Sequence, residues 1–461
     1  MNIREAITQR ILLLDGAMGT MVQQANLPDE AYSYHGKSAP GLAEVLNLTN
    51  PAVITSIHQA YLKAGADIIE TNTFNANRIS LAEYHLEGEV THINKAAVHA
   101  AKEAIRLTKK NAYIAGVLGP TPSSLSFSPK VEDPLYRNYT FDQYVEAYRE
   151  QARALLEGGV DLFLIETLFD TLIAKSAIIA CQEELKKAHL TLPIIVSVTF
   201  SDTSGRTLSG QSLQAFLISL ASFDLFAVGI NCSTGPKEMI PLLTTLHEHS
   251  PFYTSAHPNA GFPDEEGHYT LNAKELATQL QPLIQRGQLN IVGGCCGTTP
   301  EHIKALKEII EDEPVRVRKA RGKNLELAGL NPVTKQEDEL VVIGERTNVA
   351  GSRRFRRLIV EEKWEEALSI ARDQIQEGAR VLDICMDDPL LDAKEAMVSF
   401  LRYSGSDPTI AHAALMIDSS DWSVIEAALK ELQGRAIINS ISLKEGEEPF
   451  IYHAQRITSY G

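Results

Sequence analysis

Ile291, Val292, Gly293, Gly294, Cys295, Cys296, Gly297, Thr298, Thr299, Pro300 is a short apolar run that ends in two adjacent thiols crowded by three glycines. A second run, Ala227, Val228, Gly229, Ile230, Asn231, ends in Cys232. If the two runs are neighbouring parallel strands, their C-terminal ends bring three cysteines together. Three sulfurs with a fourth position vacant suit a catalytic zinc site, whereas a structural site closes all four. The flanking glycines permit unusual backbone angles and close approach, a need that simple packing does not create. The competing reading, cysteine as a small apolar filler, is the better one for Cys181 and Cys385, which fall in an expected helix and strand.

Working outward, apolar runs of the same kind recur at Ile11 to Leu14, Ile68 to Phe74, Tyr113 to Leu118, Leu162 to Thr167, Ile194 to Phe200, Ala227 to Cys232, Phe252 to Ala256 and Asn290 to Cys295. They lack polar alternation and suit parallel strands buried on both faces, with intervals long enough for crossover helices. Between Asp142 and Gly159, for example, Tyr144, Val145, Tyr148, Ala152 and Leu155 lie at helical spacing. Eight such units predict a TIM (β/α)8 barrel, whose chemistry lies on the loops that follow the strands.

Polar residues fall where that fold requires them. Asp15 follows the first run; Glu70, Thr71 and Asn72 lie in or after the second; Glu166 and Thr167 end the fourth; Asn231 and Cys232 end the sixth; His257 follows the seventh. One converging site is the expectation. For a single carboxylate such as Asp15 or Glu166 the alternative is a cap or turn that satisfies backbone donors.

Composition bounds the partners. The chain has 461 residues, 44% of them apolar and 22% charged, which allows two or three domains with large cores. A net charge of −16 without a basic stripe argues against nucleic acid. Five cysteines in this pattern do not form a disulfide framework, and neither a signal core nor a membrane span is visible, so a cytoplasmic protein is expected.

The stretches Asp15 to Thr20, Gly65 to Phe74, Gly229 to Ser233 and Gly293 to Thr298 together resemble the homocysteine-binding methyltransferase barrel, over about residues 1–315. The resemblance implies that Cys232, Cys295 and Cys296 hold zinc, with the homocysteine sulfur as fourth ligand. It makes Asp15 and Glu166 candidates for the substrate ammonium, with Asn231 beside them. Independently of the family, a free thiol of pKa about 8.5 is mostly protonated at neutral pH and a coordinated one is not. Methyl transfer to sulfur is therefore expected rather than hydrolysis.

Residues 316–339 read as a linker. Arg316, Arg318, Lys319, Arg321 and Lys323 form a basic run that is expected to be a solvated connector, and the polar stretch from Ala328 to Asp338 contains Gly329 and Pro332. A second series then begins, with runs at Val341 to Asn348, Val381 to Met386, Leu415 to Asp418 and Ala436 to Ser442, and a helix expected from Trp364 to Glu377. Asn348, Asp383, Asp387, Asp418 and Asn439 lie at the strand ends, where Asp and Asn commonly form turns.

Gly344 to Phe355, Leu382 to Asp387 and Ile417 to Ser420 resemble a pterin-binding barrel of the methyltetrahydrofolate methyltransferase type. That resemblance makes Asn348, Asp383, Asp418 and Asn439 candidate pterin contacts. The two barrels together are similar to the cobalamin-dependent methionine synthase family. This implies methyltetrahydrofolate as methyl donor through a cobalamin carrier, and the carrier's Asp-x-His-x-x-Gly motif is missing from the sequence. A corrinoid-binding module, in a longer protein or in trans, is the implied partner. Only four strand-like runs follow residue 340, so residues 340–461 are expected to be the first half of a second (β/α)8 barrel, either as a fragment of a longer protein or as an open half barrel with an exposed edge near Ala436 to Ser442, and folate binding is expected to be weak or absent. Two other readings remain: a self-contained homocysteine methyltransferase using betaine or S-methylmethionine, and a zinc-stabilised binding module without catalysis.

Overall fold

The computed structural model describes residues 2–200, 204–320, 322, 324–335 and 338–461. Among them, eight parallel strands form one sheet: β1 (Leu12–Leu13), β2 (Ile68–Glu70), β3 (Tyr113–Leu118), β4 (Leu162–Leu168), β5 (Ile194–Val198), β6 (Ala227–Asn231), β7 (Tyr253–His257) and β8 (Ile291–Val292). Each pairs with its successor from β2 to β8, and β8 returns to pair with β1. A parallel bridge between Leu14 and Ile68 joins β1 to β2 and closes the ring. The architecture is a TIM barrel.

Local sequence sets the crossovers. The helix Phe141–Gly158 starts in a capping box, with Thr140 and Gln143 exchanging hydrogen bonds, and ends where Gly159 turns left-handed at φ 85°. The helix Pro51–Ala64 has proline in its first turn and stops at Gly65, φ 109°.

Two layers of side chains follow from the period of two along each strand. Leu12, Leu14, Ile68, Ala115, Val117, Leu162, Leu164, Ile195 and Ile291 fill the interior of the barrel as one buried cluster. Leu13, Ile69, Ile114, Phe163, Ile165, Val196, Val228 and Val292 face outward onto the helices in a second, larger cluster. Two residues beyond Ile68 and Leu164 on the inner face stand Glu70 and Glu166, and Asn231 follows Ala227 and Gly229 on the inner face of β6. The top inner layer is therefore polar.

The region read as a linker is more structured than a solvated connector. Arg316 is buried, and its guanidinium donates to the carbonyls of Phe252 (2.7 Å), Ser250 (2.6 Å) and His247 (3.1 Å). It ties the chain leaving the barrel to the start of β7, a role that the basic neighbours conceal in sequence. Arg321 and Lys323 of the same run lie outside the described residues. An antiparallel hairpin follows, β9 (Glu326–Ala328) with β10 (Pro332–Thr334), in the stretch expected to be irregular.

The second sheet is parallel and four-stranded, in the order β11 (Ile343–Gly344), β12 (Val381–Cys385), β13 (Ala414–Asp418) and β14 (Ile437–Asn439). It has a core of its own around Phe355, Phe400, Met397 and Leu382. Leu327 and Val333 of the hairpin pack under it against Val381 and Ala414. The strand β14 ends the sheet, with β13 as its one strand partner among the described residues, and its side chains are half-buried. Contacts with the barrel are specific. Lys175 Nζ, buried, donates to the carbonyls of Leu432 (3.0 Å) and Gly434 (2.8 Å), and the ring of buried Tyr460 lies 6.1 Å from that of Phe141.

Candidate functional site

The loops after β6 and β8 bring three sulfurs together. One Sγ each of Cys232, Cys295 and Cys296 all lie within 4.8 Å of one another, and those of Cys232 and Cys296 are 3.7 Å apart. Ligands about 2.3 Å from a tetrahedral zinc stand about 3.8 Å from each other, so the cluster fits that ion. The backbone is bent to achieve this. Cys232 and Ser233 both adopt left-handed angles, φ 63° and 61°, an uncommon conformation for residues with a Cβ. Cys232 N donates to the carbonyl of His257 (3.1 Å), Cys295 N to that of Pro258 (2.9 Å), and the carbonyl of Cys296 accepts from Ala260 N (2.9 Å). Both cysteine loops are thereby pinned to the loop after β7.

Glycine is required next to the thiols. A Cβ on Gly294 would meet Thr298 at 2.4 Å, and one on Gly297, φ 78°, would meet the ring of Tyr269 at 2.2 Å. Hydrogen bonds from Cys232 and Cys295 hold the Cys296 thiol far below the ordinary thiol range, with a further one from Tyr269. Cys295 is pushed upward by the same hydrogen bonds to Cys232 and Cys296. The three thiols therefore interact with one another directly, and a dication held among them would ionise them.

Facing the sulfurs is a group of carboxylates. Asp15 is buried; its Oδ2 accepts from the backbone N of Glu70 (3.1 Å), while its Oδ1 has no hydrogen-bond partner. Burial raises Asp15 well above the carboxylate range, and the charge of Glu166 adds to it against the pull of the Glu70 amide. Glu166 is pushed up to about 8, by burial first and then by Cys296. Glu70 is raised well above its ordinary value by burial, then by Glu166 and Asp15. Beside them, Asn231 is buried, donates to Thr167 Oγ1 (2.8 Å), and accepts from Thr167 N (3.1 Å) and Ser197 Oγ (2.7 Å). Thr167 itself is left-handed, φ 58°, where the register of β4 slips. His257 is buried with both ring nitrogens unpartnered, and burial lowers it to about 3, so the ring is neutral.

A second polar group lies at the C-terminal end of the smaller sheet. Asn348 Nδ2 donates to Asp383 Oδ2 (2.9 Å) and reaches Asp418 Oδ2 at 3.5 Å. Asp418 pairs in register with Asn439. All four residues singled out in that half of the sequence therefore lie at one end of the sheet. Asp383 Oδ1 has no partner, and burial raises the Asp383 carboxyl. Asp387 instead accepts from Ser419 Oγ (2.6 Å) and Ser420 N (2.7 Å), which is a turn-forming role.

At the barrel mouth the structure brings Asp15, Glu70, Glu166, Asn231 and His257 to the end that carries the thiols, whereas Thr71 bonds to Thr73 and Val117 and Asn72 to Ala43 and Asn47. Tyr269 is new, and Glu70 gains a definite place. Tyr269 comes from a long loop without periodicity and carries no sequence signal. Glu70 stood among the strand-end polar residues, and its place two positions after inward-facing Ile68 would have identified it. No helix among the described residues is long and apolar enough to cross a membrane.

Comparison with known proteins places this geometry. The family model described as homocysteine S-methyltransferase matches residues 12–310, and the one described as pterin binding enzyme matches residues 344–459. Among solved structures, the homocysteine methyltransferase MmuM from Escherichia coli is similar in its metallated form, at 25% identity and a TM-score of 0.53 over 66% of this chain and 98% of that one. The oxidized form of the same protein gives 25% identity and a TM-score of 0.52 over 65% and 96%.

Proposed function

The chain belongs to the homocysteine S-methyltransferase family, and from that premise we propose that it transfers a methyl group to the sulfur of homocysteine to make methionine. The observation that carries this reading is the convergence of Cys232, Cys295 and Cys296 opposite inward-facing carboxylates at one barrel mouth. Zinc held by the three cysteines would supply the Lewis acidity that keeps a substrate thiol ionised at neutral pH.

The chain's own residues do the rest. Asp15 and Glu166 are positioned to take the substrate ammonium, since Asp15 Oδ1 is buried and unpartnered and Glu166 lies within electrostatic reach of Cys296. Asn231 is locked by Thr167 and Ser197 and has its Nδ2 3.9 Å from Cys295 Sγ, which ties the loop after β8 to the end of β6. Neutral His257 adds no positive charge. The homocysteine chemistry is assigned to residues 1–315 and pterin binding to 340–461, with 316–339 joining them.

The pterin-binding domain supports methyltetrahydrofolate as the ultimate donor. A folate methyl group needs a carrier of greater methylating power, and a cobalamin on a corrinoid-binding module, in a longer protein or in trans, is the one proposed, in the manner of methionine synthase. The second reading, a self-contained enzyme using a sulfonium or ammonium methyl donor such as S-methylmethionine or betaine, is favoured by one fact: the likeness covers 98% of MmuM and only 66% of this chain. Free thiols at all five cysteines suit a reducing compartment such as the cytoplasm.

A donor screen with zinc-loaded protein tests the assignment. Methionine should form from homocysteine with free methylcobalamin. Turnover with S-methylmethionine or betaine and none with methylcobalamin would establish the second reading, and homocysteine binding without turnover on any donor would leave a binding module.

A further inference from the structure

One carboxylate balances the charge of one ammonium, yet the barrel mouth holds three acids. Glu70 ends β2, and the strand period that turns Ile68 into the barrel interior turns Glu70 the same way. Its backbone N–H holds Asp15 Oδ2 at 3.1 Å, so the two acids lie side by side on adjacent strands. Its own carboxylate makes no hydrogen bond and no ion pair among the described residues. Asp15, Glu70 and Glu166 each feel at least one other member of the group or Cys296 as a charge, and no lysine or arginine acts on any of them.

A primary ammonium has three N–H donors on one face. Resting on the reading that homocysteine is the substrate, we propose that Glu70 is the third arm of a carboxylate tripod, with Asp15 and Glu166, that takes one N–H each and makes the site specific for thiols bearing a free primary ammonium. This accounts for three acids gathered without a resident cation. Buried like charges are costly unless a ligand compensates them, and the compensating charge is then what the site selects. It also accounts for the orphaned Asp15 Oδ1, since the oxygen turned away from the Glu70 amide is left for the ligand. Thiols lacking the ammonium would leave buried Asp15 and Glu166 and half-buried Glu70 unmatched and would be rejected, as sites built around a polar group reject analogues without it.

The test compares two ligands on the zinc-loaded full chain: homocysteine and 4-mercaptobutanoate, which is the same molecule without the ammonium. Their dissociation constants are measured by calorimetry for wild type and for Glu70→Gln, an isosteric change that removes the charge. The tripod predicts that Glu70→Gln narrows the preference for homocysteine over 4-mercaptobutanoate by about tenfold, the usual scale of a hydrogen bond to a charged group. A preference that stays the same overturns the proposal, whether both ligands weaken equally or neither changes. Glu70→Asp, which keeps the charge on a shorter arm, should retain more of the preference than Glu70→Gln, and the reverse order also overturns it. If wild type binds neither thiol, the assignment of homocysteine fails instead, and that failure is visible before any variant is made.

Discussion

Cys232 Sγ and Cys296 Sγ lie 3.7 Å apart although 64 positions separate them in the chain, because their strands β6 and β8 flank β7 and both loops hydrogen-bond to it. That spacing suits two ligands of one tetrahedral ion and is too long for a disulfide. The purified chain should therefore contain about one zinc per molecule. Cys232→Ser, Cys295→Ser and Cys296→Ser should each lose most of the metal and of the homocysteine binding, with the barrel still folded because its core lies below the cluster. Wild-type zinc content in all three variants, measured by elemental analysis, would show that the sulfurs are not ligands.

Stability should fall early in acid. His58 is fully buried in the helix Pro51–Ala64, both its ring nitrogens are unpartnered, and burial lowers it to about 4 from an ordinary 6.5. The folded-state pKa lies below the unfolded one, so as pH drops below about 6.5 the unfolded chain takes up the proton first. The contribution of the neutral ring is complete above that pH and is lost as the pH falls towards 4, by about 3 kcal/mol in all. His58→Leu should flatten the dependence of the urea midpoint on pH between 6.5 and 4. An unchanged slope would mean that His58 is solvated or paired in solution.

The strands were legible because burial on both faces writes itself as uninterrupted Ile, Val and Leu, and β3 spans the same residues in sequence and structure. Ends of strands were legible where a residue type has few other uses, as with Cys295 and Cys296. Glu70 was harder, since a carboxylate after a strand serves equally well as a cap or a turn, and only the alternation counted from Ile68 separates the cases. Arg316 and Lys175 were illegible in principle. Their roles depend on carbonyls more than 60 positions away in the chain, that of Phe252 for one and of Gly434 for the other.

Lys175 joins the two halves of the molecule. Its Nζ donates to the carbonyls of Leu432 and Gly434 at the start of the turn into β14, and Arg402 adds a bond from the other side to the carbonyl of Leu135 (2.7 Å). Lys175→Met keeps the stem and removes both donors, leaving two carbonyls unpaired at a cost of about 2 kcal/mol. Hydrogen exchange in residues 414–461 should quicken markedly while zinc content and exchange in the barrel strands stay unchanged. Equal loss of protection in both halves would show that they unfold as one unit.

Asp383 has one oxygen committed and one waiting: Oδ2 accepts from Asn348 Nδ2 at 2.9 Å, and Oδ1 is buried without a partner. A pterin ring presents adjacent N–H donors on one edge, and a carboxylate fixed by a neighbouring amide is suited to receive them. Asp418 and Asn439, in register on β13 and β14, continue the same polar wall. Asp383→Asn exchanges an acceptor for a donor at that position and should reduce the pterin affinity about tenfold or more, the scale of a lost charge-assisted hydrogen bond. Homocysteine binding should be unaffected, because the residues concerned belong to separate sheets. Fluorescence titration of the reduced folate against wild type and Asp383→Asn decides the matter, and equal affinities would remove Asp383 from the pterin site.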